Sequence, residues 1–464
     1  VTIDPMDAAA ATHARIIERD RLPARLQFST DTRSIAPGDT YLALRGERFD
    51  GHAFVGDAIA RGASALVVSD AAVVPAGIGA LVVDDTTLAY LAFAGVARSA
   101  LHARVAAITG SAGKTTTKAF LTQILERATN ALVASTIANE NNEIGVAKLL
   151  LSAPPDAAYV VVEFGARHYG EIAPLAHAAQ PDVAILTNVG EAHLEIMGSR
   201  ERLAETKWGI FSTGAHAVLC ADDAVSRERA PRLTGGITWF GAHPDELTLR
   251  GGERFVSLAR VGDVDPRDVL SIAAGSGEAQ RFPTDVTVGG EHNRANVLAA
   301  SAGALALGLE PQAIARALPG LVLPSGRYER IDAGGVSIVY DAYNASMSGT
   351  LATLASFARE PVARRIAVLS SMAELGEDAP EMHARVGAAA AQSNLDVLLV
   401  GGDYMADLAR GARENGFDRT RIVPFASNAL AVAWLRANVR EGDLVLLKGS
   451  RRYRLEEIVE GLRG

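Results

Sequence analysis

The sequence predicts an α/β protein whose parallel sheets are covered by helices on both faces and divided among three domains. Short apolar runs bounded by turn residues recur along the 464 residues, and Ala- and Leu-rich segments of helical spacing separate many of them. A glycine turn also joins one strand directly to one helix. Strands that alternate with helices pair in parallel and bury both faces. A chain this long exceeds one ordinary core, and the usual domain size suggests about two to four domains.

The elements follow in order. The first hundred residues hold "ALVV" near 65 and end in a helical stretch, "TLAYLAFAGVARSALH", without a phosphate loop. "VAAIT" near 105 leads into a glycine turn, after which Phe120, Leu121, Ile124 and Leu125 recur at helical spacing. "YVVVEF" near 159, "VAILTNV" near 183 and "AVLC" near 217 read as further strands. Between 231 and 290 the pattern becomes Gly-, Pro- and charge-rich with short β-type runs, which reads as an antiparallel extension. "LPGLVLPSGRYER", 318–330, joins Pro and Gly before a new series, "IAVLSS", "DVLLVGG" and "LVLLKGS".

Composition narrows the function. A formal net charge of -9, with no long basic run, argues against a general nucleic-acid binder, since phosphate neutralisation needs clustered Lys and Arg. The single cysteine, Cys220, excludes an internal disulfide and a thiolate cluster and reads as a small core residue. The best apolar stretch, Val297 to Leu309, is too short and too interrupted to span a bilayer. The N-terminal segment carries acids where a signal peptide needs basic residues, so a cytoplasmic location and no membrane insertion are expected.

"GSAGKTT", residues 110–116, is the most informative stretch. Gly110 and Gly113 permit a tight turn in which successive N–H groups, including those of Ser111 and Ala112, form an anion nest at a helix N-terminus. Lys114 would reach the outer phosphates, Thr115 offers a hydroxyl to Mg²⁺, and Thr116 continues the turn. Ile108 stands where the full Walker pattern has glycine, so this is a shortened variant. The bland alternative is a strand-to-helix turn with a solvated lysine. No Asn-Lys-x-Asp guanine reader is present, which favours adenine. The domains expected are 1–100, α/β and substrate-binding; 101–323, a P-loop ATPase-type parallel sheet with the antiparallel extension; and 324–464, Rossmann-like α/β.

Parallel sheets gather ligands at the carboxyl ends of their strands. Glu163 in "VVVEFGA" and His193 in "ILTNVGEAHLE" stand at such ends, where a carboxylate and an imidazole would serve a divalent cation. A helix-capping acid and a backbone-bonded loop histidine are the alternatives. Lys207 in "ETKWGIF" reads locally as a solvated helix lysine.

The motifs together resemble the Mur ligases, ATP-dependent amide-forming enzymes of peptidoglycan precursor synthesis. "TGSAGKTT", "ANENNEIGV", "EFGA", "TNVGEAHLE", "ETKWGIF", "GEHNRANVLAA", "PSGRYER", "DAYNAS", "MAELG" and "LLKGSR" follow one another in the family's order over nearly the whole chain. "STDTRSIAPGDTYLALRGERFDGHAF" is most similar to the branch that adds D-alanyl-D-alanine to a UDP-N-acetylmuramoyl-tripeptide. The resemblance implies ATP and Mg²⁺ as cofactors, those two small molecules as partners, an acyl-phosphate intermediate, and a monomer.

It also implies roles. Lys114 and Thr115 would bind phosphates and Mg²⁺, Glu163 and His193 would join the metal site, and Lys207 falls where the family has a carbamylated lysine facing the metals. Asn293 and Asn296 match positions near adenine, and Arg327 and Asp341 match residues touching phosphate and ribose. Ser29, Thr30, Asp31, Thr32, Arg33 and Arg48 fall in the uridine-nucleotide stretch, and Asn139, Asn141 and Asn142 in the central substrate loop. Tyr343, Asn344, Lys448 and Ser450 fall in C-terminal motifs facing the cleft. The chain departs from the family pattern at Ala138, Ala147, Met347, Ser370, Ser371 and Leu455. A family member joining another amine to another carboxylate, and a non-catalytic nucleotide-binding scaffold, are the competing readings.

Overall fold

The computed structural model of the chain describes residues 1–46, 49–190, 197–242, 247–260, 268–275 and 277–464. It contains three main sheets. The first orders its strands as Arg15–Ile17, Gly79–Val82, Ala65–Val68, Thr40–Leu42 and Phe28–Ser29, with only the outer Arg15–Ile17 antiparallel. The third runs Glu329–Ala333, Val336–Tyr340, Asp443–Lys448, Arg364–Leu369, Val397–Val400 and Ile422–Pro424, parallel except for its first pair.

Among the described residues, nine strands form the central sheet. From one edge they are Gln280–Thr284, Asp268–Ala274, Arg254–Arg260, Ile237–Phe240, His216–Cys220, Val183–Leu186, Arg104–Thr109, Tyr159–Glu163 and Val133–Ser135. Arg104–Thr109 lies between two parallel neighbours whose registers pair Glu163 with Ile108 and Leu186 with Thr109. All three strands therefore end together, and the loops that follow them share one edge of the sheet.

The apolar runs in this sheet are continuous because helices cover both faces. On one face the helix Lys114–Thr129 buries Phe120, Leu121, Ile124 and Leu125 in a cluster with Val297 and Ala300 of the helix Glu291–Ala306. On the other, Phe93 of the helix Thr86–Ala100 shares a cluster with Val105, Val162 and Leu175. That cluster also holds Leu42 and Leu81, so the first and central sheets pack around a continuous apolar core.

The antiparallel extension is smaller than the span 231–290. Ile237–Phe240 is fully buried and pairs in parallel with both neighbours, under the helix Glu291–Ala306. Only the pairings among Arg254–Arg260, Asp268–Ala274 and Gln280–Thr284 are antiparallel. Gly235 and Gly236 obscured the strand in the sequence, although "ITWF" has a buried strand's composition. Among the described residues no helix is long and apolar enough to cross a membrane.

Phe120 has no exposed surface and faces the sheet from the helix of the phosphate turn. Phe120→Ala is expected to destabilise the protein by about 3–5 kcal/mol through lost burial and a cavity, read as a lower denaturant midpoint.

Candidate active site

The phosphate turn follows the central strand. Gly113 is left-handed (φ 83°) and precedes the helix Lys114–Thr129 without any side-chain cap, so the first-turn N–H groups open toward the cleft. A Cβ on Gly110 (φ 152°) would come 1.9 Å from Thr187 Oγ1, and one on Gly113 would come 2.2 Å from Asn296 Oδ1. Both glycines are therefore required by close approach as well as by backbone angle.

Residues after the strand Val183–Leu186 brace the turn. Ala112 N–H donates to Asn188 Oδ1 (3.1 Å), while the Ala112 carbonyl accepts from Thr187 Oγ1 (2.6 Å) and Asn188 Nδ2 (3.2 Å). Gly190 N–H donates to Ser111 Oγ (2.8 Å). Asn188 was not anticipated as a functional residue; the available signal was a polar pair directly after a four-residue apolar run.

Lys114, Lys207 and the Glu163 carboxylate all line the cleft. Lys114 Nζ and Lys207 Nζ both donate to the Gly110 carbonyl, at 2.7 and 3.1 Å. Burial holds the Lys114 ammonium below its ordinary pKa, with Glu163 acting in the opposite sense. Burial first, and the charge of Lys114 second, push Lys207 well below the usual lysine range. Lys207 is thus a buried amine in the wall of the cleft, not the solvated helix lysine its local sequence suggests.

Glu163 is 1% exposed and caps no helix. Its Oε1 accepts from Asn141 Nδ2 (2.8 Å), whereas Oε2 is buried with no hydrogen-bond partner and lies 3.6 Å from Lys118 Nζ. A buried carboxylate oxygen without a hydrogen bond, its charge met only by an ammonium at 3.6 Å, retains the capacity to take a cation. Thr115 supplies a hydroxyl from the phosphate turn, and both residues border one cleft of about 660 Å³. Among the described residues no three His, Cys, Asp or Glu side chains cluster as metal ligands. Mg²⁺ needs no such cluster, because one or two carboxylates and substrate phosphates suffice.

The same cleft reaches the third sheet. Arg327 Nη2 donates to Thr115 Oγ1 (3.4 Å) and its guanidinium lies 4.4 Å from the Tyr343 ring centroid, with Arg451 5.4 Å from that ring. The buried Tyr343 hydroxyl has no hydrogen-bond partner. Asp341 lines the cleft, accepts from Tyr328 N–H (3.2 Å) and Thr353 Oγ1 (2.5 Å), and pairs with Lys448 Nζ (2.9 Å). Lys448 also donates to the Asn344 carbonyl (3.1 Å), and Ser450 Oγ lies 3.5 Å from Asn344 Oδ1.

Asn293 and Asn296 join the two helices beside the turn. Asn296 Nδ2 donates to Asn293 Oδ1 (3.3 Å), and Asn296 Oδ1 accepts from Thr117 Oγ1 (3.4 Å). In the asparagine loop, Asn139, Asn141 and Asn142 line the cleft, and Asn142 Oδ1 also caps the helix Glu143–Ser152. Ser29, Thr30, Asp31, Thr32 and Arg33 are not among the lining residues. Ser29 ends the edge strand Phe28–Ser29 of the first sheet and the others follow it, where Asp31 caps a short turn and pairs with Arg33 at 2.7 Å. Arg48 and His193 lie outside the described residues.

Comparison with known proteins matches this architecture segment by segment. Residues 27–109 match the Mur ligase family catalytic domain, 108–304 the Mur ligase middle domain, and 326–451 the Mur ligase glutamate ligase domain. The UDP-N-acetylmuramoyl-tripeptide--D-alanyl-D-alanine ligase of Synechocystis is 37% identical, over 93% of this chain and 91% of that protein. Its Escherichia coli counterpart is 34% identical over 94% and 93%. A crystal structure of MurF from Acinetobacter baumannii superposes with a TM-score of 0.85 at 28% identity, covering 100% of this chain and 99% of that one. MurF from Thermotoga maritima in complex with ADP gives 0.79 at 28% identity, covering 94% and 97%. With this extent of identity and three consecutive domain matches, the chain belongs to the Mur ligase family.

Proposed function

We propose that this chain joins D-alanyl-D-alanine to a UDP-N-acetylmuramoyl-tripeptide at the expense of ATP, through an acyl phosphate. One observation carries the reading. An uncapped phosphate turn, a buried carboxylate with one oxygen free of hydrogen bonds and an arginine from the third domain meet in one cleft, as phosphoryl transfer followed by acyl transfer requires. The full-length relatives named for this reaction support the choice of substrates.

A carboxylate resists an amine because its leaving group would be oxide. In the proposed sequence the acid substrate's carboxylate oxygen bonds to the terminal phosphorus of ATP, and the bridging P–O bond breaks to release ADP. The first-turn N–H groups and Lys114 hold the phosphates, and Arg327 spreads the charge that develops. Thr115 and Glu163 are the described residues that would hold Mg²⁺, which neutralises phosphate charge when bound. The unprotonated amine then attacks the acyl carbon and phosphate leaves.

Water must be excluded meanwhile. The linker supports closure, because Gly326 and Tyr328 are both left-handed (φ 73° and 60°) and Arg327 between them reaches the phosphate turn. Lys207 is the candidate for carbamylation. Burial favours its neutral amine, which can bond to CO₂ and release a proton, and the resulting anion would relieve the repulsion from Lys114.

Three outcomes test this reading. Supplied with ATP, Mg²⁺, the tripeptide nucleotide and a panel of amines, the protein should release ADP and yield a product whose mass corresponds to the D-alanyl-D-alanine adduct; turnover only with other amines would overturn the substrate assignment. Gly113→Ala should weaken binding of a non-hydrolysable ATP analogue by at least about tenfold, since a left-handed alanine costs about 1–2 kcal/mol and its Cβ displaces Asn296; calorimetry measures it. Labelled bicarbonate should give a carbamate signal in isotope-edited NMR that Lys207→Ala abolishes. Because Lys207 must be neutral to react, that signal should fade as pH is lowered.

A further inference from the structure

The sequence motifs leave Lys118 without a role, yet it is 5% exposed and lies beside the cleft-lining Glu163. It lies one turn beyond Lys114 on the same helix, so both side chains leave the same face. Lys118 Nζ donates to the Thr136 carbonyl (2.6 Å) and the Ala138 carbonyl (2.9 Å), and stands 3.6 Å from Glu163 Oε2. One ammonium therefore ties the helix of the phosphate turn to the open carboxylate and to the segment leading into the asparagine loop.

Both attachments are places where the chain needs holding. Ala138 is left-handed (φ 46°), which costs an alanine about 1–2 kcal/mol and persists only when its surroundings enforce it. The loop that follows carries Asn139 and Asn141 into the cleft, and Asn141 Nδ2 orients Glu163 through its other oxygen. Glu163 N–H in turn donates to Thr136 Oγ1 (3.2 Å). Remove the ammonium, and the Ala138 carbonyl and the Glu163 carboxylate lose their common partner.

We infer that Lys118 is a positioning residue that sets the metal-binding carboxylate and the acid-substrate loop in one geometry relative to the phosphate turn. It touches no reacting atom. It acts through Glu163 on the cation and through Ala138 on the loop, so ATP with its metal and the acid substrate meet a common frame. This inference rests on the ligase reading for the identity of the acid substrate, and on Glu163 holding the cation.

The test uses the full chain and Lys118→Met, which keeps an unbranched side chain and removes the charge. Mn²⁺ affinity is read from the paramagnetic resonance of free Mn²⁺ in the presence of a non-hydrolysable ATP analogue, and KM is measured for the tripeptide nucleotide. The variant should bind the metal-free analogue nearly as wild type does. It should lose about ten- to a hundredfold in Mn²⁺ affinity, the usual range for residues that orient a ligand, and show a similar rise in KM.

In a Glu163→Gln background, Lys118→Met should cause no further loss of Mn²⁺ affinity, because the two act as one unit. A folded Lys118→Met with wild-type Mn²⁺ affinity and KM would overturn the inference, as would an undiminished Mn²⁺ effect in the Glu163→Gln background. If thermal unfolding shows that Lys118→Met does not fold, Lys118→Gln is read by the same assays against the same outcomes. Wild-type protein that binds Mn²⁺ and the analogue but forms no product with D-alanyl-D-alanine would instead count against the substrate reading.

Discussion

The close approach of the phosphate turn to its neighbours is the constraint on which the rest of the site depends. Gly110 and Gly113 leave no room for a side-chain atom beside Thr187 and Asn296, and the Ala112 peptide is held on both sides by Asn188. The turn is thereby fixed to the carboxyl end of the strand Val183–Leu186 and to the helix Glu291–Ala306 at once. Its first-turn N–H groups are held toward the cleft by the protein's own contacts, which is the preorganisation that charge stabilisation requires.

Charge is arranged around that turn at a cost the folded chain does not recover alone. Lys114 and Lys207 share one carbonyl, and both are pushed toward the neutral amine by burial. Lys118 is displaced in the same direction for the same reason, with Glu163 opposing it. A buried cation without full compensation is expensive. Phosphate is the complementary charge, so this site has more to gain from an anion than a solvated lysine cluster would.

The departures from the family pattern find local accommodation. Ala138 adopts the left-handed conformation that glycine favours, with its carbonyl held by Lys118. Met347 begins the helix Met347–Phe357, a position proline also suits, and there buries its side chain in the core of the third domain. Ser371 Oγ accepts from Tyr404 N–H (2.8 Å), and Ser370 is buried beside Gly449. Ala147 and Leu455 are buried in apolar clusters.

Taken alone, the sequence determined the class of fold and the phosphate turn, because both are written locally: strand composition and helical spacing repeat within a few residues, and glycines with a lysine and a threonine form one short motif. Glu163 was legible as a charge ending an apolar strand. Tertiary structure decided what depends on residues far apart in the chain. It showed Lys207 buried against Gly110, Asp341 bonded to Tyr328, Thr353 and Lys448, and Asp31 and Arg33 paired with each other outside the cleft. It also showed Asn188 bracing the phosphate turn, Lys118 bonded to the Thr136 carbonyl, and Ile237–Phe240 as a parallel core strand. Burial, ion pairing and strand direction arise from which elements pack together, and no short window of sequence contains that information.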